Sequence, residues 1–190
     1  MTGPRDDDLP PPRDPTAAPG VLFAELGDHV GEGAAVDVCS AFLAGAAPDD
    51  FRREFEYLAG QAVQGVLDGV WPPYWTRVWG ARGLLYLWRP SAAPYVIRGL
   101  ADPAWRVAEM CLKVSALREL AEAGDPAVPL TEHQLPRVRA NAVRTLGLVG
   151  DTEHVDAVAG VLDDEDPLPR RAADLAMRRI TARLDLPPPL

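Results

Sequence analysis

The chain has 190 residues with a formal net charge of −9, and 47% of its residues are apolar and 25% charged. This length suits one domain or a short repeat array, and the excess of acid argues against nucleic acid, whose phosphates attract basic surfaces. No apolar stretch approaches the roughly 20 residues that cross a bilayer, and the first residues lack a signal-peptide pattern. We therefore expect a cytoplasmic protein with no membrane partner.

The first part of the chain is predicted to be a disordered tail followed by divergent helices. Residues 1–20 are rich in proline and aspartate and nearly free of large apolar side chains, so they bury too little surface to offset their ordering entropy. Between residues 21 and 74 the apolar spacing is helical, as at Phe51, Phe55 and Leu58. No run alternates with period two, so we expect no strands.

An internal repeat follows, over residues 75–184. Four arginines, separated by 29, 31 and 33 residues, each stand near the start of a long helical pattern: Arg77, Arg106, Arg137 and Arg170. The four helices are predicted to end near Trp88, Leu120, Val149 and Leu184, and a shorter helix precedes each. Residues 185–190 form a short proline-rich tail.

The turns between these helices carry capping signals. Asp102-Pro103 and Asp166-Pro167 combine an N-cap aspartate with a proline at the first helical position. Only about ten residues separate Asp125 from Pro136, so the first helix of that pair is shortened by roughly one turn.

These segments resemble a known repeat family. The stretches DPAWRVAEMCLKVSALREL and PRVRANAVRTLGLVGD look like HEAT repeats, in particular the bacterial HEAT-like repeats first noted in phycobilisome lyases. The resemblance implies an all-α fold, an α-solenoid of about five stacked antiparallel helix pairs whose inner face commonly binds a partner. Residues 75–184 match well, whereas residues 21–74 are expected to be divergent helix pairs.

A row of cations on the second helices is the first candidate site. The row contains Arg77, Arg106, Lys113, Arg137, Arg144, Arg170 and Arg178, which stacked repeats would align into a basic strip that grips an acidic segment of a partner protein. Two alternatives stay open: a solvated helix face, softened by Glu109 and Asp174, or arginines tied to turn aspartates in an Asp–Arg ladder, a habit of HEAT proteins.

A cluster of tryptophans is the second candidate. All five tryptophans lie between residues 71 and 105, and Trp75 and Trp79 share one stripe of a helix. They pack either as a buried junction between the divergent and regular parts or as a partly open aromatic pocket beside Arg77 and Arg82.

The sequence carries no recognisable catalytic motif. His133 and His154 lie in two Thr-Glu-His tripeptides, which favour a helix start over a metal site, and we predict no cofactor. Cys39 and Cys111 are predicted to be buried thiols. We expect a non-enzymatic scaffold or adaptor that binds a protein partner. The alternative is a lyase-like or ligand-handling protein that uses the tryptophan-rich region.

Overall fold

The computed structural model of the chain describes residues 9–185, and these residues form helices without any strand. The helices are α1 Pro19–Val30, α2 Glu32–Leu43, α3 Arg52–Ala59, α4 Val63–Leu67, α5 Tyr74–Gly83, α6 Ala93–Gly99, α7 Trp105–Arg118, α8 Gly124–Ala127, α9 Pro136–Val149, α10 Val155–Ala159 and α11 Pro167–Leu184. The prediction of an all-α fold is confirmed. The chain divides into two compact units, Met1–Val96 and Ile97–Leu190, with the boundary inside α6.

The first unit is built around α2, which packs against α1 and α5. Phe23, Phe42 and Phe55 are fully buried in its core. The approach of α5 to α2 depends on Gly80, because a Cβ there would lie 2.6 Å from the carbonyl oxygen of Cys39. A side chain at this position would push the two helices apart.

Residues 9–18 differ from the expected disorder of residues 1–20. Leu9 is buried, the Tyr57 hydroxyl donates to the Pro10 carbonyl at 2.8 Å, and the Gln61 amide donates to the Pro15 carbonyl at 3.0 Å. The segment is therefore held by contacts with α3 and with the turn after it. These contacts stabilise it although it has few large apolar side chains. The rest of the predicted tails, residues 1–8 and 186–190, lies outside the described residues.

The second unit stacks its three long helices in chain order. The middle one, α9, packs against α7 and also against α11. At the second contact Gly147 is essential, because a Cβ there would lie 2.7 Å from the Cα of Ala176. The predicted apolar stripes form this core: Val138, Ala142, Val143, Leu146, Ala173, Ala176, Met177 and Ile180 are buried, and Leu184 is half-buried.

The short first helices of this unit are partly 3₁₀ in character. Between α7 and α9 the chain forms Ala121–Ala123, α8 and Val128–Glu132, which agrees with the predicted shortening before Pro136. Before α11, Thr152–His154 precedes α10. Such tight turns suit brief connecting helices.

The same turn precedes each long helix of the second unit. The Asp102 carboxylate accepts from the amide of Ala104 at 2.8 Å, and the Asp166 carboxylate accepts from the amide of Leu168 at 2.8 Å. Between them in the chain, His133 accepts through Nδ1 from the amide of Leu135 at 3.0 Å. The sequence repeat is therefore also a repeat of hydrogen bonding.

Candidate partner-binding face

A buried carboxylate organises the cations of α7 and α9. Glu109 on α7 is only 5% exposed, and its Oε1 accepts from Nε and Nη2 of Arg137 at 3.1 and 2.9 Å. The same oxygen lies 3.0 Å from Nζ of Lys113 and accepts from Nδ2 of Asn141 at 3.2 Å. A buried charge requires such compensation, so Glu109 fixes the cationic heads beside it.

Trp105, the first residue of α7, stands between two guanidinium groups. The Cζ of Arg106 lies 4.3 Å from the centre of the indole ring, and the Cζ of Arg137, from the next repeat, lies 5.2 Å from it. Both distances fall within the range of cation–π attraction. Trp105 and Glu109 thus hold the Arg137 side chain from two sides.

One carboxylate, that of Glu109, contacts two cations, those of Lys113 and Arg137. Arg144 on α9 adds a third cation, whose guanidinium donates to Oδ1 of Asn141 at 3.2 Å. The side chains of Lys113 and Arg137 remain 38% and 51% exposed. We call Trp105, Arg106, Lys113, Arg137 and Arg144 the α7–α9 face, and four of its five side chains are cationic.

The predicted cations of α11 have other surroundings. The Arg178 guanidinium pairs with Asp174 one turn earlier, at 2.8 Å, in a pair open to solvent. Arg170 folds back onto its own turn and donates to the carbonyls of Asp164 and Glu165 at 2.5 and 3.4 Å. Exposed pairs of this kind are worth little energetically. At this end Arg178 is paired with an acid, and Arg170 is held by backbone carbonyls.

An Asp–Arg contact between repeats is present on a different arginine. Nε and Nη2 of Arg139 donate to the two carboxylate oxygens of Asp164 at 2.6 and 2.7 Å, and both side chains are largely buried. The hydrogen bond from Arg139 lowers the pKa of Asp164. An Asp–Arg contact of the kind expected in a ladder is therefore present. It involves Arg139, which does not belong to the predicted row, and its partner is Asp164 instead of Asp102 or Asp166.

The remaining predicted residues, Arg77, Trp75 and Trp79, lie on α5 in the first unit. The ring of Trp79 is buried and packs edge-on against Phe55 at 5.8 Å, while Trp75 is half-buried and 5.5 Å from Trp79. Arg77 lines a surface cavity of about 530 Å³. Trp79 thus belongs to the core of the first unit.

A comparison with protein-family models supports the repeat. Residues 124–188 match the model of HEAT repeats, a stretch that includes α8 to α11. Residues 124–188 therefore contain HEAT repeats. No curated protein matches the chain. The more specific likeness to phycobilisome-lyase-type repeats stays a prediction.

HEAT repeats generally mediate protein–protein interaction, and the family is typically non-enzymatic. In residues 9–185 no helix is long and apolar enough to cross a membrane. The match begins after α7, so what connects α7 to the matched repeats is its packing on α9.

One cluster in the HEAT repeats has the composition of a metal site. Asp125, Glu153 and His154 bring ligand atoms within 4.8 Å of one another. Nδ1 of His154 accepts from the Asp151 amide at 2.8 Å, so its Nε2 carries the proton and donates to Asp125 at 3.1 Å. Both ring nitrogens are engaged, and the hydrogen bond from the Asp151 amide is that of a cap at a helix start.

Some residues of the site were missed by sequence reasoning. The sequence pattern groups Trp105 with the other tryptophans and gives no sign of a role for Asn141 or Arg139. The spacing of Glu109 and Lys113, four residues apart on one helix, was a visible signal of a pair. The contacts of Arg137 and Arg139, which span 28 and 25 residues, have no local signal.

Proposed function

We propose that this protein is a non-enzymatic scaffold or adaptor and that its α7–α9 face binds an acidic segment of a partner protein. The observation that carries the proposal is the contact of Lys113 and Arg137 with the buried Glu109. Arg106 and Arg137 also lie close to the ring of Trp105. Restrained cations lose less conformational entropy on binding than free ones.

The chemistry of the face fits carboxylates better than other ligands. Guanidinium groups bind carboxylates through paired hydrogen bonds. A tryptophan beside them offers apolar area of the kind that dominates protein interfaces. An acidic segment with an apolar or aromatic side chain would use both features.

The other predicted residues take lesser parts in this proposal. Arg170 and Arg178 extend the row onto α11, where the nearby acids reduce their attraction for an anion. Arg77, Trp75 and Trp79 belong to the first unit and form a separate candidate surface.

The test measures binding of a fluorescein-labelled poly-glutamate peptide by anisotropy, with poly-glutamine as the neutral control. The variant Arg106→Gln with Arg137→Gln removes two cations; glutamine avoids placing a new carboxylate beside Glu109. We expect at least a tenfold loss of affinity, since hydrogen bonds to charged groups contribute about 1.5–3 kcal/mol each.

The matched control is Arg171→Gln with Arg179→Gln on the exposed face of α11. It changes the net charge equally, so its affinity should stay within about twofold of wild type. An equal loss in both double variants would show that only net charge matters and would refute the proposed face. The same variants can then be used for affinity capture of partners and mass spectrometry.

A second candidate function rests on the cavity beside Arg77. Val70, which is 75% exposed, Trp71 and Pro72 also line it, so it combines an apolar wall with a cation. We propose it as the site for a small anionic aromatic ligand if the ligand-handling alternative holds. Saturable binding of anilinonaphthalene sulfonate that Val70→Asp removes is the expected result, and binding unchanged in that variant would reject this site.

A further inference from the structure

The segment at residues 9–15 occupies a groove on the first unit. Two donors of the groove bind its carbonyls: the Tyr57 hydroxyl contacts Pro10 at 2.8 Å and the Gln61 amide contacts Pro15 at 3.0 Å. Leu9, just before them, is 8% exposed. Proline has no amide hydrogen, so recognition through carbonyl oxygens and a buried leucine suits a proline-rich chain.

Two further features fit the groove to an extended chain. Gly60 has φ +54°, and a Cβ there would lie 2.7 Å from the carbonyl oxygen of Pro15, so the close approach of the two backbones requires glycine. On α1, Glu25 accepts through Oε1 from the amide of Arg13 at 3.1 Å. We call the surface formed by Glu25, Tyr57, Gly60 and Gln61 the strap groove.

The sequence seated in this groove occurs twice in the chain. Asp-Leu-Pro-Pro-Pro occupies residues 8–12 and again residues 185–189. The second copy offers Leu186 in place of Leu9 and the carbonyl of Pro187 in place of that of Pro10. At the next position Leu190 stands where the first copy has Arg13, so the two copies share the leucine and the proline run.

We propose that the strap groove also binds residues 185–189 of a second copy of this chain and so links chains head to tail. The contact joins two different surfaces, so it generates open assemblies instead of a closed pair unless a ring forms. The segment at residues 9–15 competes for the same groove at an effective concentration in the millimolar range, because it is tethered directly to α1. Exchange therefore depends on displacement of that segment.

The experiment uses the full chain with Leu9→Asp, which weakens the internal occupant, and a fluorescein-labelled peptide of residues 181–190. We expect saturable binding at least tenfold tighter than to the wild-type chain. Adding Tyr57→Phe removes one hydrogen bond to a carbonyl and should weaken binding about two- to tenfold. The same peptide with Leu186→Asp is the matched control and should not bind.

Circular dichroism first establishes that each variant keeps its helices; if Leu9→Asp unfolds the chain, the milder Leu9→Ala takes its place. Absence of saturable binding to the folded variant would overturn the proposal. Equal binding of the Leu186→Asp peptide would overturn it as well, because recognition would then ignore the shared motif. A concentration-dependent increase in sedimentation of the Leu9 variant that Leu186→Asp abolishes in the same chain would support the head-to-tail link.

Discussion

The contact between Arg139 and Asp164 gives the sharpest test of how successive repeats are held together. Arg139 lies near the start of α9, and Asp164 lies in the turn before α11. Their side chains are 17% and 8% exposed. The Nη1 atom of Arg139 also donates to the carbonyls of His133 and Gln134 at 2.9 and 3.2 Å, so the arginine ties three points of two turns together.

The expected magnitude follows from this burial. Breaking a buried ion pair by removing one partner costs about 3–5 kcal/mol. Asp164→Ala should fall below this range, at about 2 kcal/mol, because both residues are only partly buried and Arg139 keeps two carbonyl acceptors. In a double-mutant cycle with Arg139→Ala we expect a coupling free energy of about 2 kcal/mol.

The assay is urea unfolding followed by circular dichroism for the wild type, both single variants and the double variant. The pair Arg178 and Asp174 on α11 provides the control cycle, because it is exposed and should couple by only about 0.3–0.5 kcal/mol. If the coupling of Arg139 with Asp164 is no larger than that of the control pair, the argument from burial and paired hydrogen bonds fails.

Three further predictions test other parts of the structure. The hydrogen bond from Arg139 is the main cause that lowers the folded-state pKa of Asp164. The contribution of Asp164 to the free energy of unfolding is therefore present above the unfolded pKa of about 3.9 and is lost as pH falls through the folded pKa. The difference in stability between wild type and Asp164→Asn should shrink on acidification, and a pH-independent difference would contradict this. Gly147→Ala should lower the free energy of unfolding in urea by about 1–2 kcal/mol, since crowding against Ala176 outweighs a helix-propensity gain of about 1 kcal/mol. In the control Gly160→Ala, the new methyl group meets only ordinary contacts and should not destabilise the chain. Burial raises the pKa of Cys39 to about 12 and raises that of Cys111 as well. Both thiols should therefore react with a disulfide reagent at least roughly a hundredfold more slowly in the native chain than in urea. Rapid labelling of the native chain would refute their burial.

The long helices were predictable because their signals are local. The predicted ends at Val149 and Leu184 coincide with the ends of α9 and α11. The helix expected to reach Trp88 instead ends at Gly83, where the chain turns. The glycine was visible in the sequence, but the apolar spacing continued past it, and spacing alone does not reveal where hydrogen bonding stops.

The tail was harder to predict because its partners are distant in sequence. A segment rich in proline and aspartate has little apolar surface of its own, and composition therefore favours disorder. Its order comes from Tyr57 and Gln61, 47 and 46 residues away from the prolines that they contact. The division into divergent and regular repeats stays a prediction.

The arrangement of charges within the candidate site also depended on long-range contacts. The sequence identified Arg106, Lys113 and Arg137 as a row, and the repeat spacing was sufficient for that. It treated Glu109 only as an acid that weakens the row. In the structure this carboxylate is buried and holds the side chains of Lys113 and Arg137 beside it.

This distinction bears on whether the row serves stability or binding. Arg137 joins α9 to α7 through Glu109, whereas the contact with the turn before α11 belongs to Arg139, two residues after Arg137 on the same helix. Residues two positions apart on a helix point about 200° apart, so the two side chains lie in different surroundings. Arg139 is 17% exposed and Arg137 is 51% exposed. Because Arg139 makes the contact before α11 and Arg137 makes the one to α7, loss of Arg137 should weaken binding of an acidic segment and the packing of α9 on α7, while it leaves the stacking of α9 on α11 intact.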